Sequence, residues 1–442
     1  MKKTTTARAI ALLAGGAALA TASTASAYDC TKLTNPVYIA GSTASKPFLL
    51  SIAQALGTQI SLIYAAPASC GGLQDVVASP PQTESSSASY LDPTTGALDA
   101  CTAGTLPYPA INVDIGVSDV YPSTCIAPTV TLGTSYKDFP GAIQPMEIVV
   151  PWGSSESAIS ADAAYVVFGF AAQMYTVNPW NDPTAIWTRG DTSGTQLMVA
   201  TAIGLSGDKW LSKLGAEAGA VQMLTSTTMV TALVNGNATK PNSTIGILGA
   251  GFADALRSAP GKTDAGAATG GIKPLAFQAK GQDCGYYPDS DLSHFDKINV
   301  RQGRYDIWGP EHFVTNVDSM GNPVASPQAS SNPVPSTSAN VAKVIAIITH
   351  ANLSSTSTPT LDAVIKAETD AHYVPVCAMQ VSRSSEIGGE ASFQPTVACG
   401  CYYESIIGSG TTFSSYCTTC KASTDCKVAA YPACNFGYCE AK

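Results

Sequence analysis

The sequence predicts a mixed α/β fold. Short apolar β runs alternate with segments of helical periodicity over most of the chain, and the junctions between them are tight turns rich in Gly, Ser and Thr. The chain has 442 residues and is 45% hydrophobic, enough for two or three domains with real cores. Only 12% of its residues are charged. That low charge, with so many small polar residues, suits a loop-rich secreted protein.

Residues 1–27 read as an export signal. Lys2, Lys3 and Arg8 precede an apolar stretch from Ala9 to Ala20, and Ala25-Ser26-Ala27 is an A-x-A cleavage site. The apolar run is shorter than the ~20 residues a membrane-spanning helix needs, and no later segment reaches that length. Ala27-Tyr28-Asp29 before Cys30 does not resemble a lipoprotein signal. Cleavage would remove three of the 23 basic residues and no acid, leaving 20 against 32, a net charge of −12. That balance argues against nucleic acid or an anionic membrane as partner. A small anion stays open, because local hydrogen bonds can hold one whatever the total charge.

"PVYIAGSTASKPFLLSIAQALG" (36–57) reads as strand, turn and helix. Val37 to Ala40 is the β run, Lys46-Pro47 opens the helix, and Phe48, Leu49, Ile52 and Leu56 share one helical face. "ISLIYAAPASCGGLQDVV" repeats the plan, with Ser69-Cys70-Gly71-Gly72 as the turn. Residues 79–105 look like a polar insertion. "INVDIGVSDVYPSTC" and "AIQPMEIVVPWG" are further β runs, the second a candidate crossover between lobes. "ADAAYVVFGFAAQMY" and "TTMVTALVNG" read as helices, "TAIWTRGDTSGTQLMVATAIGL" as strand, turn, helix, and "STIGILGAGFADALRS" as strand then helix. Residues 315–340 form a long surface loop or linker, followed by helices at 341–351 and 361–371.

All 13 cysteines lie beyond residue 27, and eight of them fall between Cys377 and Cys439. A segment so small with so few large apolar residues needs staples, so up to four disulfides are expected there. Cys417-x-x-Cys420 could instead form half of a zinc site, but no paired histidines accompany it. Of Cys30, Cys70, Cys101, Cys125 and Cys284, one is left over, either free or paired with the tail.

Three turns share one chemistry. Gly41-Ser42-Thr43, Ser69-Cys70-Gly71-Gly72 and Thr192-Ser193-Gly194-Thr195 each follow an apolar strand and precede a helix. A helix start offers unpaired N–H groups and partial positive charge, small residues allow close approach, and hydroxyls add donors. Together these make an anion cradle. Each turn alone is equally an ordinary helix cap. Arg189, four residues before Ser193, brings planar donors matched to a tetrahedral oxyanion, although a surface salt bridge is its plainer role. Arg189-Gly190-Asp191 also spells an adhesion tripeptide, which is common by chance.

In this order the turns resemble the periplasmic phosphate-binding proteins of Pst-type ABC transporters, over roughly residues 36–310. "IAGSTASKPFL" is similar to the family's first Gly-rich turn, "SCGG" to its Ser-Ser-Gly-Gly, "DIGVSD" (114–119) to its D-x-G-x-S-D, "RGDTSGT" to its R-x-D-G-S-G-T, and "STIGILG" to a late strand. The resemblance implies a two-lobed type II periplasmic-binding-protein-like fold with the ligand between the lobes. It implies phosphate or a related oxyanion as ligand, a possible ABC transporter permease as partner, no cofactor and no catalysis. The ligand residues it implies are Thr43, Ser69, Asp119, Arg189, Ser193, Gly194 and Thr195, supported from behind by Ser42 and by Asp191, which would brace Arg189. Asp119 beside an anion makes sense if it accepts the hydrogen of a protonated phosphate, since it would repel sulfate. The chain departs from the family at Cys70, which replaces the second serine and suggests a disulfide to Cys101 or Cys125, and at Thr192 and Ala44.

The expected division is a signal at 1–27, a first lobe at 28–150 with the insertion at 79–105, and a second lobe at 151–245. A return to the first lobe at 246–375 contains the linker 315–340, and a disulfide-stapled segment at 376–442 ends the chain. His294, His312, His350 and His372 show no metal-ligand spacing, and no G-x-S-x-G elbow appears. His312, set among aromatics, reads as structural. The reading is therefore an exported or periplasmic binding protein rather than a phosphatase. The alternative is a secreted or surface-associated interaction protein attached through its cysteine-rich tail.

Overall fold

The computed structural model describes residues 27–441 apart from 79–87, 105, 127, 173, 211–223, 259–270, 328–332 and 408–415. The signal segment therefore lies outside the described residues, save for Ala27. The first lobe opens with β1 (Ala27–Asp29), β2 (Pro36–Gly41), α1 (Lys46–Leu56), β3 (Ser61–Ala65) and α2 (Ser69–Val77). It continues with β4 (Ser89–Leu91), β5 (Leu98–Ala103), β6 (Leu106–Pro107), β7 (Ile115–Ser118) and the long β8 (Tyr136–Pro151). The second lobe brings β9 (Ala158–Ser160), α3 (Ala161–Phe170), α4 (Gly194–Ile203), α5 (Ser226–Thr239), β10 (Gly246–Gly249), α6 (Ala250–Ala253), β11 (Ile272–Pro274), β12 (Ala276–Gln278) and α7 (Ile298–Arg301). The chain then returns through β13 (Trp308–Asn316), α8 (Ser338–Ile348) and α9 (Leu361–Asp370). The tail holds β14 (Val381–Ser382), β15 (Ala391–Ser392), α10 (Gly400–Ile407), β16 (Ala433–Asn435) and β17 (Tyr438–Glu440).

Eleven strands form one sheet in the order β1-β5-β4-β3-β2-β7-β13-β8-β10, with β6 added to β5 and β11 to β8. Strands β3, β2 and β7 run parallel, with Val37 opposite Leu62 and Ala40 opposite Gly116. Their carboxyl ends therefore lie side by side, which is where open α/β sheets present ligand groups. The helical face anticipated for α1 is the one that packs: Phe48, Leu49, Ile52 and Leu56 are buried against Val37, Ile39, Leu62, Ile115 and Val117. Each such side chain contributes about 1.5–3 kcal/mol on leaving water.

Strand β8 is the crossover. Its residues Tyr136–Pro145 pair with β13, and Met146–Pro151 pair with β10 and β11. From Gly141 onward it is wholly buried, and its residues are mostly apolar rather than alternating, with Gln144 and Glu147 as buried polar exceptions. Strands β10 and β11 thus belong with the second half of β8, in the same sheet that β13 joins along the first half.

Three other expectations are corrected. The stretch expected as a polar insertion supplies β4 and β5, which extend the sheet outward from β3. The expected strand before Arg189 is reduced to one bridge between Ile186 and Ile245, because the chain there turns through Pro183–Ala185 instead of extending. The loop or linker expected at 315–340 is not free on either side of 328–332: Asp114 accepts from the Ser326 N–H (3.0 Å) and the Ser336 hydroxyl (2.8 Å).

Six disulfides join Cys30–Cys101, Cys70–Cys125, Cys377–Cys399, Cys401–Cys417, Cys420–Cys434 and Cys426–Cys439, leaving Cys284 free. Cys417 and Cys420 are thus in separate bridges and unavailable as a zinc pair. The tail is docked rather than loose. Buried Arg301 pairs with Glu404 (3.0 Å), donates to the Ala378 carbonyl (3.0 Å) and lies over the Tyr403 ring, while Glu440 caps the start of α10 through the N–H groups of Cys401 and Tyr402. Among the described residues no helix is long and apolar enough to cross a membrane.

Candidate anion-binding site

The parallel strands deliver the first-lobe half of the site. Just beyond β2, Ser42 and Thr43 sit at the start of a short 3-10 turn, and the Ser42 hydroxyl accepts from the Ala44 N–H (3.0 Å). Just beyond β3, Ser69 opens α2. The Ser-Cys-Gly-Gly stretch is thus the first turn of the helix, not a turn before it. Its glycines fit this role, since a Cβ on Gly72 would lie 2.3 Å from the Ala40 carbonyl oxygen. Just beyond β7, Asp119 follows Ser118, whose hydroxyl folds back on Val120. The Cys70–Cys125 disulfide ties the Ser69 turn to the segment after Asp119.

The second lobe supplies Arg189 from the segment before α4, with Ser193 as the cap of that helix and Gly194 and Thr195 in its first turn. The structure brings all seven expected residues together, and all are buried. Arg189 donates to the Thr43 hydroxyl (2.6 Å) and the Ser226 hydroxyl (2.9 Å). The Gly194 N–H donates to the Ser69 hydroxyl (3.0 Å), and the Cys70 N–H to the Thr192 carbonyl (3.1 Å). Hydroxyls of Ser69 and Thr195 each reach Asp119 Oδ2 at 3.3 Å. Ser193 Oγ and Thr188 Oγ1 are buried with no hydrogen-bond partner among the described residues, a donor surplus that marks a polar site rather than a finished core.

The electrostatics are unusual for a core. Arg189 is 3% exposed and, among the described residues, makes no ion pair. Burial lowers its pKa to about 10, while the charge of Asp119 works in the opposite direction, so the guanidinium stays ionised at neutral pH. Asp119 is therefore the carboxylate whose charge acts on it. Asp191, expected to brace it, lies half-buried at the turn. Burial raises the Asp119 pKa, opposed by hydrogen bonding from Ser42, the charge of Arg189, and hydrogen bonds with Glu311 and Thr195.

Four further residues escaped the sequence reading. Ser226 opens α5 and holds Arg189. Lys46, at the first position of α1, is half-buried, and burial and then the Arg189 charge depress its pKa. A lysine at the positive end of a helix works against the dipole, and that misfit was a legible sign. Glu311 and Ser45 complete the polar cluster: the Ser45 hydroxyl lies 2.8 Å from Glu311 Oε2 and 3.4 Å from Asp119 Oδ1. Nothing near residue 311 in sequence signals this. His312, expected to be structural, is paired with Asp138 (2.6 Å) and packed on Tyr121, while its buried Nε2 has no partner among the described residues. The tail reaches the rim, where Glu386 accepts from the Tyr121 N–H (3.2 Å).

No family model and no curated protein matches the chain. Among solved structures it is similar to an ABC-type phosphate transport receptor from Vibrio cholerae, at 13% identity over 76% of this chain and 99% of that one, with a TM-score of 0.40. It is similar to a high affinity periplasmic phosphate-binding protein solved with phosphate, at 15% identity over 77% and 90%, TM-score 0.42. It is also similar to the reduced OxyR regulatory domain from Pseudomonas aeruginosa, at 10% identity over 65% and 92%, TM-score 0.31. Likenesses this distant, to receptors and a regulator alike, decide nothing about ligand or role.

Proposed function

We propose that this chain is an exported binding protein that captures phosphate, or a closely related tetrahedral oxyanion, between its two lobes. The observation that carries the reading is Arg189, a buried guanidinium with hydroxyl partners and no ion pair among the described residues, beside a half-buried Lys46. Burying a charge is costly unless a partner sits directly against it; the Asp119 charge acts on Arg189 without forming an ion pair, and an anion seated between Thr43 and Arg189 would supply the direct partner. Helix starts carrying Lys46, Ser69, Gly194 and Ser226 converge on the same place, adding partial positive charge and N–H donors. Asp119 then accepts the hydrogen of the bound anion and disfavours sulfate, which carries none. Entry requires the lobes to part, because the polar groups of the two halves touch one another. Twelve of the 13 cysteines are bridged, which fits an oxidising compartment and supports export. A transporter permease would be the natural recipient of the captured anion.

Calorimetric titration of phosphate-stripped protein with phosphate and with sulfate tests the reading. Saturable phosphate binding is expected, lost in Arg189→Ala, with sulfate ignored until Asp119→Asn removes the repelling charge. No heat with either anion would overturn it.

A further inference from the structure

Glu311 lies on β13 with no exposed surface and, among the described residues, no ion pair. Its Oε2 accepts from the Ser45 hydroxyl (2.8 Å) and its Oε1 from the Tyr373 hydroxyl (3.1 Å). The Ser45 oxygen also stands 3.4 Å from Asp119 Oδ1, so one hydroxyl lies between the two buried carboxyl groups. Ser45 has one proton to give, so it cannot satisfy two carboxylates. Two buried carboxyls either side of one hydroxyl disfavour each other's ionisation, and Arg189 acts to keep Asp119 as the charged one.

Every other group around the pair sharpens this. Tyr64 on β3 donates to the Ser42 carbonyl, and Tyr373 after α9 donates to Glu311. Burial and the nearby carboxyls hold both phenols far above their ordinary range, so both remain protonated. Ser42 and Thr195 approach Asp119, Lys46 sits nearer Arg189, and the Glu386 carboxyl adds a further like charge near Asp119. Burial and the Asp119 charge push Glu311 well above the carboxylate range.

We propose that Glu311 is a second carboxyl of the anion site, and that it holds the proton which leaves Asp119 as a single carboxylate able to accept the ligand's hydrogen. The pair then carries one negative charge instead of two. The site takes an anion while Glu311 is protonated, and rejects it when a second negative charge appears behind Asp119. This specificity role rests on the anion-binding reading above. The proton on Glu311 does not.

Two measurements on Glu311→Gln test it. Gln keeps the size and neutrality of the protonated acid. First, the infrared difference spectrum of wild type against Glu311→Gln at pH 7 should show a protonated-carboxyl C=O band that the variant lacks. Its absence overturns the proposal whatever the ligand. Second, phosphate affinity of the wild type should fall toward about tenfold per pH unit once Glu311 ionises, while the variant stays flatter over the same range. A uniform loss at every pH in Glu311→Gln would show a merely structural residue and overturn the ligand-reading role. If the band is present but neither protein binds phosphate at any pH, the proton stands, and both the anion reading and the specificity role built on it fall.

Discussion

Gly194 separates the fold from the closure of the lobes. It begins α4 in the second lobe, and a Cβ built there would stand 2.5 Å from Ser69 Oγ, 2.8 Å from Asp119 Cβ and 2.9 Å from Asp119 Oδ2. Both neighbours belong to the first lobe. The Ser69 hydroxyl can rotate away, but Asp119 Cβ is fixed to its backbone and cannot. Gly194→Ala should therefore penalise the closed arrangement by the usual cost of overpacking, about 1–3 kcal/mol. Expressed as affinity, that is a phosphate Kd weaker by roughly 5- to 150-fold. Gly194 is the first residue of α4, outside the helix interior where glycine is costly, so the same change should leave the helix itself nearly unaffected and the melting temperature should hold. Calorimetry for affinity, thermal unfolding for stability and small-angle scattering for compaction on adding phosphate read the three effects separately. Wild-type affinity and wild-type compaction in Gly194→Ala would refute the claim that ligand capture brings these turns into contact.

Two further outcomes follow from buried charge. Arg301→Met leaves Glu404 buried without its cation and should cost about 3–5 kcal/mol in urea unfolding; adding Glu404→Leu should restore part of it, and a cost near zero would mean the pair does not hold the tail. Asp114, buried and hydrogen-bonded by Tyr38, Ser336 and Ser326, has its pKa raised to about 6, above its value of 3.8 in an unfolded chain. Its contribution is full below pH 4 and is lost as pH rises through 6, on the order of 3 kcal/mol, so stability measured from pH 4 to 7 should fall by that much more in wild type than in Asp114→Asn, and equal slopes would refute it.

The parts of the site carried by local pattern were legible in the sequence. Thr43, Ser69, Asp119 and Arg189 each follow an apolar run and lie next to small or hydroxyl residues, and parallel pairing of β2, β3 and β7 is what turns three separate turns into one place. Glu311 was not legible, because it lies 266 residues from Ser45 and its meaning comes from a tertiary contact. The strand expected before Arg189 failed for a local reason: Asp182 caps a turn beginning at Pro183, and that chemistry outcompetes the apolar pair Ile186-Trp187. The stretch expected as an insertion failed the other way. Its polar composition hid Tyr90 and Leu91, two buried side chains that suffice to anchor a short strand beside β3.

Cys70 shows how a departure from a resembled motif can strengthen the motif's use. The disulfide to Cys125 closes a loop of 55 residues, which in the chain-entropy model is worth about 4 kcal/mol. It joins the two turns that carry Ser69 and Asp119, so the first-lobe half of the site is covalently braced. The Arg189 half is held by α4 and α5 of the other lobe. Between the halves stand hydrogen bonds, from Arg189 to Thr43, from Gly194 to Ser69 and from Cys70 to Thr192. Each is worth only about 0.5–1.5 kcal/mol net. On the proposed reading, a braced half faces a second half across a few weak bonds, and an anion bridging Thr43 and Arg189 would add to what holds the two together.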